Sequence, residues 1–136
     1  METAHVTYLG ELRAEAVHLK SGNKIVTDAP LDNQGKGEFF SPTDLLATSL
    51  ATCMITIIGI AARTHAFDID GASAKVTKVM GNDPRRVIEI IINLELPRNN
   101  YSDKEKKIIE HSVKNCPVAK SLHPDLKQNT NITYKS

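Results

Sequence analysis

A run of 18 residues without a charged side chain, residues 45–62, constrains the fold more than any other feature of the sequence. Ser41, Pro42 and Asp44 precede it and make a helix start, with an N-cap, a proline at the first helical position and a capping-box-like acid. The run has the length of a membrane span, but its polar residues make it weakly hydrophobic, and no basic cluster or aromatic belt flanks it. A helix that is apolar nearly all round is typical of the centre of a protein or oligomer. We therefore expect a buried central helix and no membrane partner.

Strand patterns lie on both sides of this helix. Residues 4–29 alternate between apolar and polar side chains and indicate antiparallel strands, with turn chemistry at residues 21–23. A hairpin is predicted from residues 75–78 and 88–96, because every second residue of the latter segment is isoleucine or leucine. This hairpin should bury one of its two faces.

The last third of the chain predicts a helix, a short helix and a closing strand. Ser102 and Glu105 have the spacing of a capping box, and Cys116 stands before a proline that can begin a further short helix. Residues 131–134 read as an edge strand. The expected fold class is α+β, with antiparallel sheets packed around a long buried central helix, in a single domain over residues 1–136.

The charge balance and the N-terminus exclude several functional classes. Lysine and arginine number 17 against 16 acidic residues, and aromatic residues make up only 4% of the chain, so a nucleic-acid interface is not expected. The N-terminus lacks the pattern of a signal peptide, which favours the cytoplasm, where thiols are kept reduced. His65, His111 and His123 lack the spacing of metal ligands, so no metal site is expected.

The two cysteines are the candidate reactive residues, although a cysteine can equally serve as a small packing residue. Cys53 lies in the uncharged helix with Leu50 and Ile57 at helical spacing, and such apolar surroundings predict an inert side chain. Cys116 precedes a helix start near Lys114 and Lys120, where the helix dipole and positive charge favour a thiolate. Local chemistry alone therefore favours Cys116 as the reactive thiol. It gives no indication that the two cysteines lie close together in the fold.

Two motifs carry a resemblance to a known family. The stretch SPTDLLATSLATCM, residues 41–54, resembles the OsmC/Ohr pattern of a Pro turn, an apolar helix and a cysteine. The stretch CPVAKSL, residues 116–122, resembles the Cys-Pro helix start of the same family. The segment before the first motif and the ITIIGIAAR segment after it are more similar to the OsmC-like branch than to Ohr proper. The element order also agrees over nearly the whole chain.

The resemblance implies a cysteine-based peroxidase that reduces organic hydroperoxides with no metal or flavin cofactor. Cys53 would attack the peroxide, and the resulting sulfenic acid would condense with Cys116 to an intramolecular disulfide. An external dithiol reductant would then restore both thiols. The family's intertwined homodimer would explain a helix that is apolar on every side. Cys116 should lie nearer the surface, where it meets the reductant.

The expected activating residues differ from the family pattern. Family peroxidases hold an Arg–Glu pair near the first cysteine, but the position ten residues before Cys53 is Thr43. Asp44 could substitute for the glutamate, whereas Arg13 is the first candidate for the arginine and Lys36 the second. The alternative function is an OsmC-like protein whose altered shell binds a small apolar ligand or senses redox state without efficient peroxidase turnover.

Overall fold

The computed structural model describes all 136 residues, and the chain forms two compact units, Met1–Leu46 and Ala47–Ser136. The predicted single domain over residues 1–136 stays a prediction. One helix, α1 (Pro42–Thr64), begins in the first unit and continues into the second.

The first unit is a three-stranded antiparallel sheet followed by a loop. Strands β1 (Ala4–Gly10), β2 (Arg13–His18) and β3 (Lys24–Asp28) stand in the order β1-β2-β3, as the alternating pattern predicts. In the register of β2 and β3, Arg13 pairs with Asp28. The turn between these strands places Gly22 at a φ of +77°, a conformation that favours glycine.

The loop after β3 folds back along the strand end before α1 starts. A one-turn 3-10 helix covers Leu31–Asn33, and the backbone N–H of Asp28 donates to the carbonyl oxygen of Phe40 at 3.1 Å. The predicted helix start is confirmed, because Asp44 accepts from the Ser41 backbone N–H and the Ser41 hydroxyl accepts from the Asp44 N–H, both at 3.0 Å. This exchange fixes the first turn of α1.

The α1 helix is buried along one face in the single chain. Small and large apolar residues make up the buried face: Ala47, Leu50, Ala51, Met54, Ile58 and Ala62. Ile60 on the other face is 59% exposed. By length and composition alone α1 could cross a membrane, with a mean hydropathy of 2.1, but core helices of soluble proteins pass the same test.

The second unit packs helices on a mixed three-stranded sheet. The predicted hairpin is confirmed as β4 (Ser73–Gly81) and β5 (Arg86–Leu96), and β6 (Lys127–Tyr134) completes the order β4-β5-β6. Two helices, α2 (Asp103–Lys114) and α3 (Pro117–Ser121), connect β5 to β6. Because of this helical crossover, β6 runs parallel to β5, whereas fully antiparallel sheets were expected.

One face of β5 forms the centre of the core in this unit. Ile90, Ile92, Leu94 and Leu96 are all at most 1% exposed, while Asn93 faces outward, as the alternation predicts. The α+β class is confirmed.

Candidate active site

Cys53 lies in the middle of α1 at the border between its buried and exposed faces. Its side chain is half-buried, and Leu50 and Ile57, one turn before and after it, pack in or against the core. The exposed Thr52 and Thr56 flank it on the solvent side. The thiol therefore combines apolar neighbours with access from outside the core.

Cys116 is the N-cap residue of α3 and is fully buried, with 0% exposure. Pro117 occupies the first helical position, and the Cys116 Sγ accepts a hydrogen bond from the backbone N–H of Ala119 at 3.3 Å. The expectation that Cys116 lies nearer the surface is wrong. The α2–α3 junction turns its side chain into the core, where it packs with residues such as Ile109 and Val113.

The fold brings the two thiols into contact, although 63 positions separate them in the sequence. Both cysteines are reduced, and Cys53 lies close enough to Cys116 to affect the pKa of its thiol. Burial raises the pKa of the Cys116 thiol, and the contact with Cys53 raises it further, against the backbone N–H groups of Ala119 and Val118. The expected acidic Cys116 is therefore wrong, because desolvation outweighs the helix start.

The polar side chains of the first turn of α1 form the helix cap. Asp44 accepts from the Ser41 backbone N–H, and the Thr43 hydroxyl lies 3.2 Å from the Ser41 hydroxyl. Asp44 thus serves the helix cap. That Asp44 also substitutes for the family glutamate stays a prediction.

Arg13 lies at the start of β2 between two carboxylates. Its Nε donates to Asp28 Oδ1 at 2.7 Å, and its Nη2 donates to Asp28 Oδ2 at 2.9 Å and to Glu38 Oε1 at 2.7 Å. The guanidinium also stacks 4.7 Å from the ring centre of Phe39. The hydrogen bonds from Arg13 hold the pKa of Asp28 below its usual range. Asp28 pairs with Arg13 through the register of β2 and β3, and Glu38 lies on an irregular loop, so neither partner could be identified from the sequence.

Lys36, the second candidate cation, has a different partner. Its Nζ donates to Glu11 Oε2 at 2.8 Å, and both side chains are mostly exposed. His65, His111 and His123 are exposed, and the chain has no group of three or more His, Cys, Asp or Glu side chains that could hold a metal ion.

Comparison with known families and structures shows what the chain is similar to. The family model described as OsmC-like protein matches residues 35–131. A crystal structure from Psychrobacter arcticus 273-4, described as a "putative osmotic stress induced and detoxification response protein", is 58% identical over 97% of this chain and 96% of that one, with a TM-score of 0.93. No curated protein sequence matches significantly.

Two more distant structures share the fold. An OsmC-like protein from Mycoplasma pneumoniae is 23% identical over 99% of both chains, with a TM-score of 0.79. An organic hydroperoxide resistance protein from Elizabethkingia anophelis is 13% identical over 99% of this chain and 98% of that one, with a TM-score of 0.76. At these identities the likeness is one of fold.

Proposed function

Because the chain belongs to the OsmC-like protein family, we propose that it reduces organic hydroperoxides with Cys53 and Cys116 as a redox pair. The observation that carries this proposal is the proximity of two reduced thiols, one in the middle of α1 and one at the start of α3. Two thiols in contact can form a disulfide with little movement of the backbone, since a disulfide needs its Cβ atoms within about 4.5 Å. A family neighbour named for organic hydroperoxide resistance points to the substrate class.

Cys53 is the thiol that attacks first in this proposal. It is half-buried, whereas Cys116 is inaccessible and its raised pKa keeps it protonated. The Cys53 thiolate attacks the distal oxygen of the hydroperoxide and the O–O bond breaks. The leaving alkoxide takes up a proton to become the alcohol, and Cys53 is left as a sulfenic acid.

Cys116 resolves the sulfenic acid. Its sulfur bonds to the Cys53 sulfur, and the displaced hydroxide leaves as water with the proton of the Cys116 thiol. An external dithiol then attacks the disulfide and is itself oxidised, which returns both cysteines to thiols. Because Cys53 is the more accessible sulfur, we expect the reductant to attack there, with Cys116 as the leaving thiol.

Arg13 is the activating cation in this proposal, and Lys36 is not. Arg13 is fixed by the buried Asp28 and by the ring of Phe39, whereas Lys36 forms one exposed ion pair.

The proposed cycle needs no metal or flavin, and its partners are the hydroperoxide, a dithiol and a second copy of the chain. We place the reaction in the cytoplasm, where thiols are kept reduced and a dithiol is available. Neither nucleic acid nor membrane takes part in the proposed reaction.

Labelling of the sulfenic acid tests the order of the two cysteines. The Cys116→Ser variant should consume one equivalent of cumene hydroperoxide and accumulate a sulfenic acid at Cys53, because its resolving thiol is missing. Cys53→Ser should consume none. Dimedone adducts located by mass spectrometry, with thiol counts before and after the peroxide, give the measurement.

A dimedone adduct on Cys116 in the Cys53→Ser variant would reverse the two roles. If the wild-type chain keeps both thiols after a stoichiometric amount of hydroperoxide, the peroxidase proposal fails. The chain would then be a ligand binder or redox sensor. This alternative is favoured by Thr43, which stands where the family has a glutamate.

A further inference from the structure

The sulfur of Cys116 accepts a hydrogen bond from the backbone of its own turn. The N–H of Ala119 donates to the Cys116 Sγ at 3.3 Å. Burial raises the pKa of this thiol, and the backbone N–H groups of Ala119 and Val118 act against that rise. A hydrogen bond becomes stronger when its acceptor carries a charge. The bond from Ala119 therefore contributes most at the step in which Cys116 is a thiolate.

Reduction of the disulfide is the step that makes Cys116 a thiolate. A thiolate of the external dithiol attacks the Cys53 sulfur, the bond between the two cysteine sulfurs breaks, and its electron pair leaves on the Cys116 sulfur. The second thiol of the reductant then attacks the mixed disulfide and releases Cys53. The reductant becomes a disulfide, and its two protons end on Cys53 and Cys116. Because a leaving thiol departs faster when its pKa is lower, a donor to the Cys116 sulfur accelerates this step.

Gln128, the second residue of β6, holds the residue that donates to Cys116. Its Nε2 donates to the carbonyl oxygen of Ala119 at 2.9 Å. That carbonyl belongs to the last turn of α3, which ends at Ser121, so it has no partner within the helix. In the register of β5 and β6, Gln128 stands opposite Ile90, which is fully buried. The strand is thus anchored in the core, and the Gln128 side chain ties Ala119 to it.

We propose that Gln128 is a positioning residue for the reduction of the disulfide between Cys53 and Cys116, because it holds the N–H of Ala119 against the sulfur that leaves. The inference rests on the proposed function, in which the two cysteines form a disulfide, and it adds a residue of β6 to the site. A purely structural role has the opposite signature. A loosened α3 would expose the buried Cys116 and make the disulfide easier to reduce, whereas a misplaced donor makes it harder to reduce.

The test is the rate at which dithiothreitol reduces a disulfide that diamide has formed in the purified chain, followed by mass spectrometry of the alkylated thiols. Gln128→Met keeps a side chain of similar length without a donor, and it should slow reduction by about threefold to tenfold, the effect of one hydrogen bond. Gln128→Lys keeps a donor at the end of its side chain and should recover part of the rate.

Two further readouts separate positioning from loosening of α3. The monothiol 2-mercaptoethanol should leave its mixed disulfide on Cys53 in the wild-type chain and in Gln128→Met alike. The rate at which iodoacetamide alkylates Cys53 in the reduced chain should not change in Gln128→Met, since Cys53 is not the leaving thiol. The expected effect is thus confined to one step of the cycle.

Asn131→Ala is the matched control. Asn131 lies three residues after Gln128 on β6, and its side chain donates to Asn93 Oδ1 at 3.0 Å. The variant therefore removes an amide hydrogen bond from the same strand without touching α3. Its disulfide should be reduced at the rate of the wild-type chain.

Reduction of Gln128→Met at or above the wild-type rate, or a mixed disulfide that moves to Cys116, would overturn the inference. It also fails if diamide forms no disulfide between the two cysteines, or if Asn131→Ala slows reduction as much as Gln128→Met. If circular dichroism shows that Gln128→Met is unfolded, Gln128→Glu, of the same shape and without a donor, decides in its place. Diamide replaces the hydroperoxide, so slower reduction in a chain that does not consume cumene hydroperoxide would refute the peroxidase and leave the role of Gln128 in place.

Discussion

Cys116 shows how burial and local structure compete at a single residue. Its position before Pro117 predicts the start of a short helix, and the helix indeed begins there. The sequence does not predict how deeply Cys116 is buried, because its burial depends on how the α2–α3 junction packs on the rest of the unit. Burial removes the thiol from water and raises its pKa, whereas a helix terminus offers only about 0.3–1 kcal/mol to the charged form. Burial therefore has the larger effect on the pKa of the Cys116 thiol.

The surroundings of Arg13 are the part of the candidate site that could not be predicted from the sequence. A family motif led to both cysteines, and Arg13 followed as the best basic residue on a strand. Its partners could not be derived in the same way, because Asp28 depends on strand register and Glu38 on the path of an irregular loop. Register is set by contacts between strands, which no local pattern encodes completely.

The apolar residues next to Cys53 give a prediction about the substrate. We expect cumene hydroperoxide to be a better substrate than hydrogen peroxide, because an alkyl group gains free energy when it leaves water for contact with the partly buried Ile57. The measurement is kcat/KM for the two peroxides. Ile57→Thr should reduce the preference by about threefold or more through loss of apolar contact. Equal values for the two peroxides in the wild-type chain would contradict the expectation.

At the scale of elements, the start and end of each helix follow local rules that the sequence displays. The Ser102 hydroxyl accepts from the Glu105 N–H at 3.1 Å, and the Glu105 carboxylate accepts from the Ser102 N–H at 2.9 Å. This capping box was predicted from two residue types at a spacing of three. The parallel direction of β6 was missed, although two helices between β5 and β6 leave room for the crossover that a parallel pair needs.

The capping box provides a test of stability that does not touch either cysteine. Ser102→Ala removes the acceptor for one N–H of the first turn of α2, and it should lower the free energy of unfolding by about 1 kcal/mol. Urea denaturation at a fixed protein concentration measures the loss. Ser136→Ala, at the exposed C-terminus, is the control and should leave the midpoint unchanged. A loss as small as that of the control would show that the box contributes nothing.

At the scale of the whole molecule, the isolated chain exposes more large apolar side chains than single surface positions explain. They lie on α1 and throughout the first unit: Val6, Tyr8, Leu9, Leu12, Leu19, Ile25, Leu31, Phe39, Phe40, Leu46 and Ile60. Apolar exposure on this scale is typical of a surface that another protein covers.

A homodimer is the expected occupant of this surface. Sedimentation equilibrium of the wild-type chain should give twice the monomer mass at micromolar concentration. Ile60→Lys should weaken the dimer by placing a charge on the exposed face of α1, because a charge buried in an interface without a partner is costly. Asn93→Lys adds the same charge on the outward face of β5 and should leave the mass unchanged. A wild-type monomer that stays folded would contradict this prediction.

If the exposed face of α1 is a dimer interface, the stability of the protein depends on its abundance. If the native state contains two chains and the unfolded state one, the law of mass action raises the melting temperature with total protein concentration. A cell that makes little of the protein would hold a larger fraction of it as dissociated chains, with the face that contains Ile60 in water. Melting curves over a hundredfold dilution series would display this dependence, and the expression level would thus set how much of the chain is in its working form.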